Sequence, residues 1–198
     1  RGDLVGASPL LLAVASGRLE VVLALIAARA CVDLADRHQE APLLVASRAE
    51  FYEIVRALIS VHARHLPDAT GATPLRTACA NGHATIVKAL LLSRADAEIA
   101  DVNGTTPLLA ACRQGQTAIL EALIAARVDV NRSDESGSTP LLVATGLGHL
   151  AMVQRLVEAG ADMEKENLSH QTPVSLAGAA QGERARRPSS SSRANEKL

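Results

Sequence analysis

The residues best able to bind a metal or attack a substrate are six histidines and three cysteines. His62 and His65 lie within a few residues of Asp68, and side chains of these types can hold zinc. A zinc site needs three or four well-placed ligands, and one short loop is a poor source of them, so no metal is expected. His83 and His149 each follow a glycine, while Cys79 and Cys112 each follow an alanine. These pairs repeat a position along the chain instead of converging on a point. No acid, base and nucleophile come together in the sequence. The expectation is therefore a protein that is not an enzyme, with no catalytic residue and no cofactor.

The elements that position these residues follow a period. Pro9, Pro42, Pro74, Pro107, Pro140 and Pro173 are spaced by 33, 32, 33, 33 and 33 residues. Ala13, Ala46, Ala78, Ala111, Ala144 and Ala177 each sit four residues after a proline. Asp3, Asp36, Asp68, Asp101 and Asp134 each sit six before one, and Gly17, Gly82, Gly115 and Gly148 eight after. A fixed period of this length marks a stacked repeat array.

One unit can be read residue by residue. Asp101, Asn103 and Gly104 make a turn. Thr106 is a natural N-cap, and Pro107 suits the first helical position, where its missing N–H costs nothing. A short helix is predicted from Pro107 to Arg113 and is broken at Gln114-Gly115. A second helix starts near Thr117 and carries Ile119, Leu120, Leu123 and Ile124 on one apolar face. Such a unit is too small to bury its own apolar faces, so neighbours must stack and share a core. The alanine four after each proline lets the helices approach. Cys79 and Cys112 then lie about 10 Å apart, beyond disulfide reach, and read as small core residues.

With this register the chain resembles the ankyrin repeat, a 33-residue unit with the signature T-P-L-H-x-A. The matching segments are Ser8-Pro-Leu-Leu-Leu-Ala13, Ala41-Pro-Leu-Leu-Val-Ala46, Thr73-Pro-Leu-Arg-Thr-Ala78, Thr106-Pro-Leu-Leu-Ala-Ala111, Thr139-Pro-Leu-Leu-Val-Ala144 and Thr172-Pro-Val-Ser-Leu-Ala177. Gly148-His149 and Gly160-Ala-Asp162 fit further family segments. The resemblance implies an all-α solenoid of about five full helix-turn-helix repeats, with β-hairpin-like loops and a truncated C-terminal capping repeat. The expected bounds are 3–35, 36–67, 68–100, 101–133, 134–166 and 167–182, making one domain over 3–182. Residues 183–198 are polar, charged and serine-rich and are expected to be a disordered tail. Within it, Arg184-Ala-Arg186-Arg187-Pro-Ser189 resembles a substrate of basic-directed kinases, which makes Ser189 the candidate phosphosite.

The departures from the family pattern are specific. Its histidine is replaced by Leu11, Leu44, Arg76, Leu109, Leu142 and Ser175, so a hydrogen-bonded tie between loops gives way mostly to apolar contact. The glycine that closes the second helix survives only as Gly160; Arg29, His62, Arg94 and Arg127 take its place elsewhere. The second unit has Ala41 for Thr, Glu50 for Gly and one residue fewer before Pro74, and residues 61–69 are expected to form an irregular loop.

The resemblance also implies a partner protein held on a concave face built from hairpin tips and first helices. By register the contact residues are Arg37, His38, Arg48, Thr70, Asn81, Val102, Asn103, Thr105, Arg113, Gln114, Glu135, Ser136, Ser138 and Leu147. Arg113 and Arg48 are the best single anchors, because arginine is favoured at interface hot spots. The leading function is a protein-protein interaction scaffold. The alternative is a targeting or regulatory ankyrin module of a larger enzyme, channel or signalling protein.

Composition narrows the setting. A net charge of −1 gives no basic field for nucleic acid or an anionic membrane, so neither partner is expected. No apolar run reaches the roughly 18 residues of a membrane-spanning helix, so no insertion is expected. Three widely separated cysteines suggest reduced thiols and an intracellular setting, cytoplasmic or nuclear. A monomer is expected. Aromatics are scarce, Phe51 and Tyr52 alone, so the core must be aliphatic.

Overall fold

The computed structural model describes residues 6–178; the expected tail at 183–198 and Ser189 lie outside that span. Ten helices follow one another: α1 (Pro9–Ala15), α2 (Leu19–Ala27), α3 (Pro42–Arg48), α4 (Tyr52–Ser60), α5 (Pro74–Asn81), α6 (Ala84–Leu92), α7 (Pro107–Gln114), α8 (Thr117–Ala125), α9 (Pro140–Gly146) and α10 (Leu150–Glu158). A further helical segment occupies residues 173–178. Among the described residues there is no strand. The helices pair within units, and each pair stacks on the next.

Every first helix opens on its proline. Four of the five full units cap it with a hydroxyl: Ser8, Thr73, Thr106 and Thr139 accept from the backbone N–H groups of Leu11, Arg76, Leu109 and Leu142 at 3.1–3.2 Å. Ala41 has no side chain to do so. At the turn between helices, the N–H nine residues after the proline donates to the carbonyl of the repeated alanine. His83 to Ala78 and His149 to Ala144 are examples, at 3.0 and 2.9 Å. Ala46, Ala78, Ala111 and Ala144 are fully buried where first helices pack together.

The second helices end alike. Arg29, His62, Arg94 and Arg127 take φ of 60–63°, the left-handed conformation that the replaced glycine would favour, and Gly160 takes 87°. The backbone then folds back, so that Ala30, Ala63, Ala95 and Ala161 donate to Leu25, Leu58, Leu90 and Leu156 at 2.9–3.0 Å. Residues 61–69 are therefore not irregular throughout, as the sequence suggested. The helix end at His62 is the regular one, and the missing residue is absorbed within 63–67.

The core is a column of aliphatic side chains running through all units. Leu58, Leu90, Leu123 and Leu156 are each 0% exposed. Twelve residues after each proline, Ile54, Ile86, Ile119 and Met152 are 1–2% exposed, each covered by the preceding unit. Val21 holds the same position in the first unit and is 43% exposed. In the first unit, a seam position that the inner units bury is thus exposed.

Candidate partner-binding surface

The loops are built by one device. Oδ1 of Asp101 accepts the N–H groups of Asn103 and Thr105 at 3.0 and 2.8 Å, which closes the turn from within. Asp36, Asp68, Asp134 and Asn167 do the same for their own loops. One backbone bond joins each loop to the next. Ala69, Val102, Glu135 and Leu168 donate to the carbonyls of His38, Thr70, Asn103 and Ser136 at 2.9–3.1 Å. The loops therefore stack in register, with Gly104 at φ 72° where a Cβ would come within 2.9 Å of the Glu135 nitrogen. Two positions equivalent to Gly104 hold other residues, Gln39 at φ 61° and His170 at φ 56°. The sequence reading missed both.

Arginines lock this framework. Arg76, standing where the family has histidine, pairs with Asp101 of the following loop. Burial pushes the Asp101 carboxyl up, but the Thr105 and Asn103 N–H groups and the Arg76 guanidinium outweigh it and hold the pKa below the usual carboxylate value. Arg76 was not read as a functional residue. The signal was there, in a guanidinium at the tie position with an aspartate 25 residues on. The leucines at the other tie positions, Leu11, Leu44, Leu109 and Leu142, are buried, as apolar replacements should be.

Arg113 donates through Nη2 to Asp134 Oδ2 at 2.7 Å and through Nη1 to Thr105 Oγ1 at 3.1 Å. Arg48 pairs with Glu40. Both guanidinium side chains stay almost half exposed, at 45% and 44%. They are pre-ordered by neighbours yet open to solvent, which limits the entropy lost when either meets a partner.

Of the residues chosen by register, Arg37, His38, Arg48, Thr70, Asn81, Val102, Asn103, Arg113, Gln114, Glu135, Ser136 and Leu147 are exposed, and Ser138 is half-buried. Thr105 is the correction: it is 2% exposed, so it cannot meet a partner and instead supports Arg113. Loop and first-helix residues share a surface. A shallow groove of about 330 Å³ is lined by Arg113, Ser138, Val143, Leu147, Gln171 and Leu176, among others.

The remaining candidates fall apart structurally. Among the described residues no three His, Cys, Asp or Glu side chains are placed to share a metal. His65 is half-buried, with Nε2 3.2 Å from Ser93 Oγ, and burial lowers its pKa. Cys79 and Cys112 are buried; desolvation raises both thiols, that of Cys112 to about 12, so neither is a ready nucleophile. Cys31 is exposed. No helix among the described residues is long and apolar enough to cross a membrane.

Two overlapping stretches, residues 10–101 and 75–167, match the family model described as ankyrin repeats in three copies. The chain belongs to the ankyrin repeat family. No curated protein matches it. Ankyrin repeats are in general protein-protein interaction modules. That role agrees with a frame whose buried positions repeat while its exposed loop tips, such as Arg37, Ala69, Val102 and Glu135, all differ.

Proposed function

We propose that this ankyrin array is a scaffold that holds a partner protein on the concave face formed by loop tips and first helices. The observation that carries the reading is the pair of half-exposed, pre-ordered arginines, with Arg113 beside the apolar groove of Val143, Leu147 and Leu176. Arginine anchors next to apolar contact are the usual makings of an interface hot spot. The face is otherwise polar and mixed in charge, which favours a modest, exchangeable complex. The partner would be captured with the intact array, and its affinity measured for Arg113→Ala, Leu147→Asp and the outer-face change Lys88→Ala. The first two should weaken binding about tenfold or more, the level set by loss of one hot-spot contact. Equal affinity for all three proteins would refute the assignment of the face.

The exposed seam of the first unit favours a second reading, in which the array is a targeting or regulatory module of a larger enzyme, channel or signalling protein. Val21 is 43% exposed where inner units bury the same position. A neighbouring element of a longer polypeptide would cover it. The Val21→Lys change in the full-length polypeptide tests this: a large loss of stability supports covering, and an unchanged melting temperature refutes it.

A further inference from the structure

The residue six after the proline differs between units: it is Arg48, Ala80, Arg113 and Gly146 in the second to fifth. In the fourth unit the Arg113 guanidinium bridges Thr105 of its own loop and Asp134 of the next. The fifth unit has Gly146 there and no side chain to do this. The residues equivalent to Thr105 and Asp134 are Ser138 and Asn167, and both line the groove of about 330 Å³. The groove is therefore the seat of a side chain that the fifth unit lacks. The backbone does not forbid one. Gly146 is the last residue of α9, and a Cβ on it would come 3.7 Å from Leu176 Cδ1, an ordinary contact.

The polar groups of the seat are nevertheless not those of an arginine site. Asp134 closes its loop with Oδ1 and accepts from Arg113 with Oδ2. Asn167 closes its own loop in the same way, Oδ1 accepting the N–H groups of Ser169 and Gln171 at 2.9 and 3.0 Å. Its other arm is an NH2 group, which donates to Gln171 Oε1 at 3.1 Å. That bond orients the Gln171 amide and leaves its Nε2 without a partner among the described residues. An acceptor has thus given way to donors. Among the described residues, Arg113 is the one charged side chain lining the groove, and its bonds to Thr105 and Asp134 leave guanidinium hydrogens to spare. The Asp134 side chain is 6% exposed and does not line the groove, nor does Glu166, which pairs with His170 at 3.1 Å. Val143, Leu147 and Leu176 supply aliphatic walls. An aliphatic stem that ends in a carboxylate suits this set, because its stem meets the walls and its oxygens accept from amide and guanidinium N–H groups. Residues 179–198 of the chain carry five basic side chains and two acidic ones, the wrong sign for the seat.

We propose that the groove takes a glutamate side chain of the partner protein, with its stem against Leu147 and Leu176 and its carboxylate on Asn167, Gln171 and Arg113. The proposal rests on the concave-face reading and names the chemistry held there. Amide chemical shifts of the labelled protein would be followed while titrating acetyl-leucyl-glutamyl-leucinamide or its glutaminyl analogue. Saturable shifts around Arg113, Ser138, Gly146 and Asn167 are expected with the glutamyl peptide, and affinity about tenfold weaker with the glutaminyl one. Asn167→Asp keeps the turn, since Asp101 and Asp134 close the same one, but sets a carboxylate where the NH2 group donated. It should weaken the glutamyl peptide about tenfold or more and leave the glutaminyl peptide as before. Gly146→Arg should abolish the shifts with no fall in melting temperature, because the new side chain fills the seat and arginine suits a helix better than glycine. That pairing of outcomes separates a filled groove from a misfolded one. Equal affinity for the two peptides, or unchanged affinity in Asn167→Asp, would overturn the proposal. A captured partner that tolerates Asn167→Asp but not Arg113→Ala would remove the glutamate and leave the concave face standing. Capture unchanged by Arg113→Ala, Leu147→Asp and Asn167→Asp alike would remove both.

Discussion

The seam between the fourth and fifth units and the seam between the second and third share a core but not their edges. At the former, His149 sits on Gly115, Arg113 grips Asp134, and Asn131 Oδ1 accepts the Asp162 N–H at 2.7 Å. Asp33 and Glu98 make that last tie at two other seams, to the N–H groups of Arg64 and Asp129 at 2.8 and 2.7 Å. At the latter seam Glu50 replaces glycine and one residue is missing within 63–67. No such side-chain acceptor reaches Asp96 among the described residues. Two histidines substitute: His65 meets Ser93 at 3.2 Å and His83 meets the Arg48 carbonyl at 3.1 Å. Leu58 and Leu123 are nonetheless equally buried. The aliphatic column fixes the fold, and the edges are free to differ.

That comparison can be broken most severely in the column. Leu123→Ala should cost about 2–5 kcal/mol in denaturant unfolding, because a buried leucine leaves a cavity. Ala111→Leu should cost about 1–3 kcal/mol by overpacking. Val21→Ala, at an exposed seam position, should cost well under about 1 kcal/mol. If Val21→Ala proved as harmful as Leu123→Ala, the assignment of covered and uncovered seams would be wrong.

The edges come next. Gly115→Ala should cost about 1–3 kcal/mol, since it strains a left-handed position and drives a Cβ against His149. Arg94→Gly and Arg127→Gly should each stabilise by about 1 kcal/mol by relieving the same backbone strain at the second-helix ends. Thermal melts decide both, and a fall in melting temperature for the arginine variants would contradict the left-handed cap.

The smallest effect concerns acid. Asp101 has its pKa lowered in the folded state, so its contribution to stability is present above the unfolded carboxylate value near about 3.9 and is lost as pH falls through the lower folded value. Melting temperatures taken between neutral pH and about pH 3 should fall less steeply for Asp101→Asn than for the parent. Parallel curves would show that the Arg76–Asp101 tie does not contribute.

Much of this was legible along the chain, because it depends on local chemistry. The prolines, the Thr106-type caps and the repeated alanine place each first helix, and the Leu123-type residues place the core. What escaped depends on residues about one unit away. Thr105 looks like an exposed loop hydroxyl until Arg113 folds over it. Gln39 gives no local sign of a left-handed backbone, which the stacked loops impose on it. The contacts of His83 with Glu50 and the Arg48 carbonyl, where His149 sits on a glycine, involve a glycine lost in one unit and a histidine kept in the next, a relation no single segment contains.

The bare flank of the first unit has a dynamic consequence. Among the described residues α1 and α2 stack on α3 and α4 alone, whereas inner pairs stack on helices at both sides. Opening should therefore begin at that end and travel inward one helix pair at a time, so that backbone amides of α2 exchange with deuterium before those of α6 or α8. A ligand lying across the third to fifth units would leave this end as loose as before, and the molecule would unravel from one side like a stack of coins tipped at its edge.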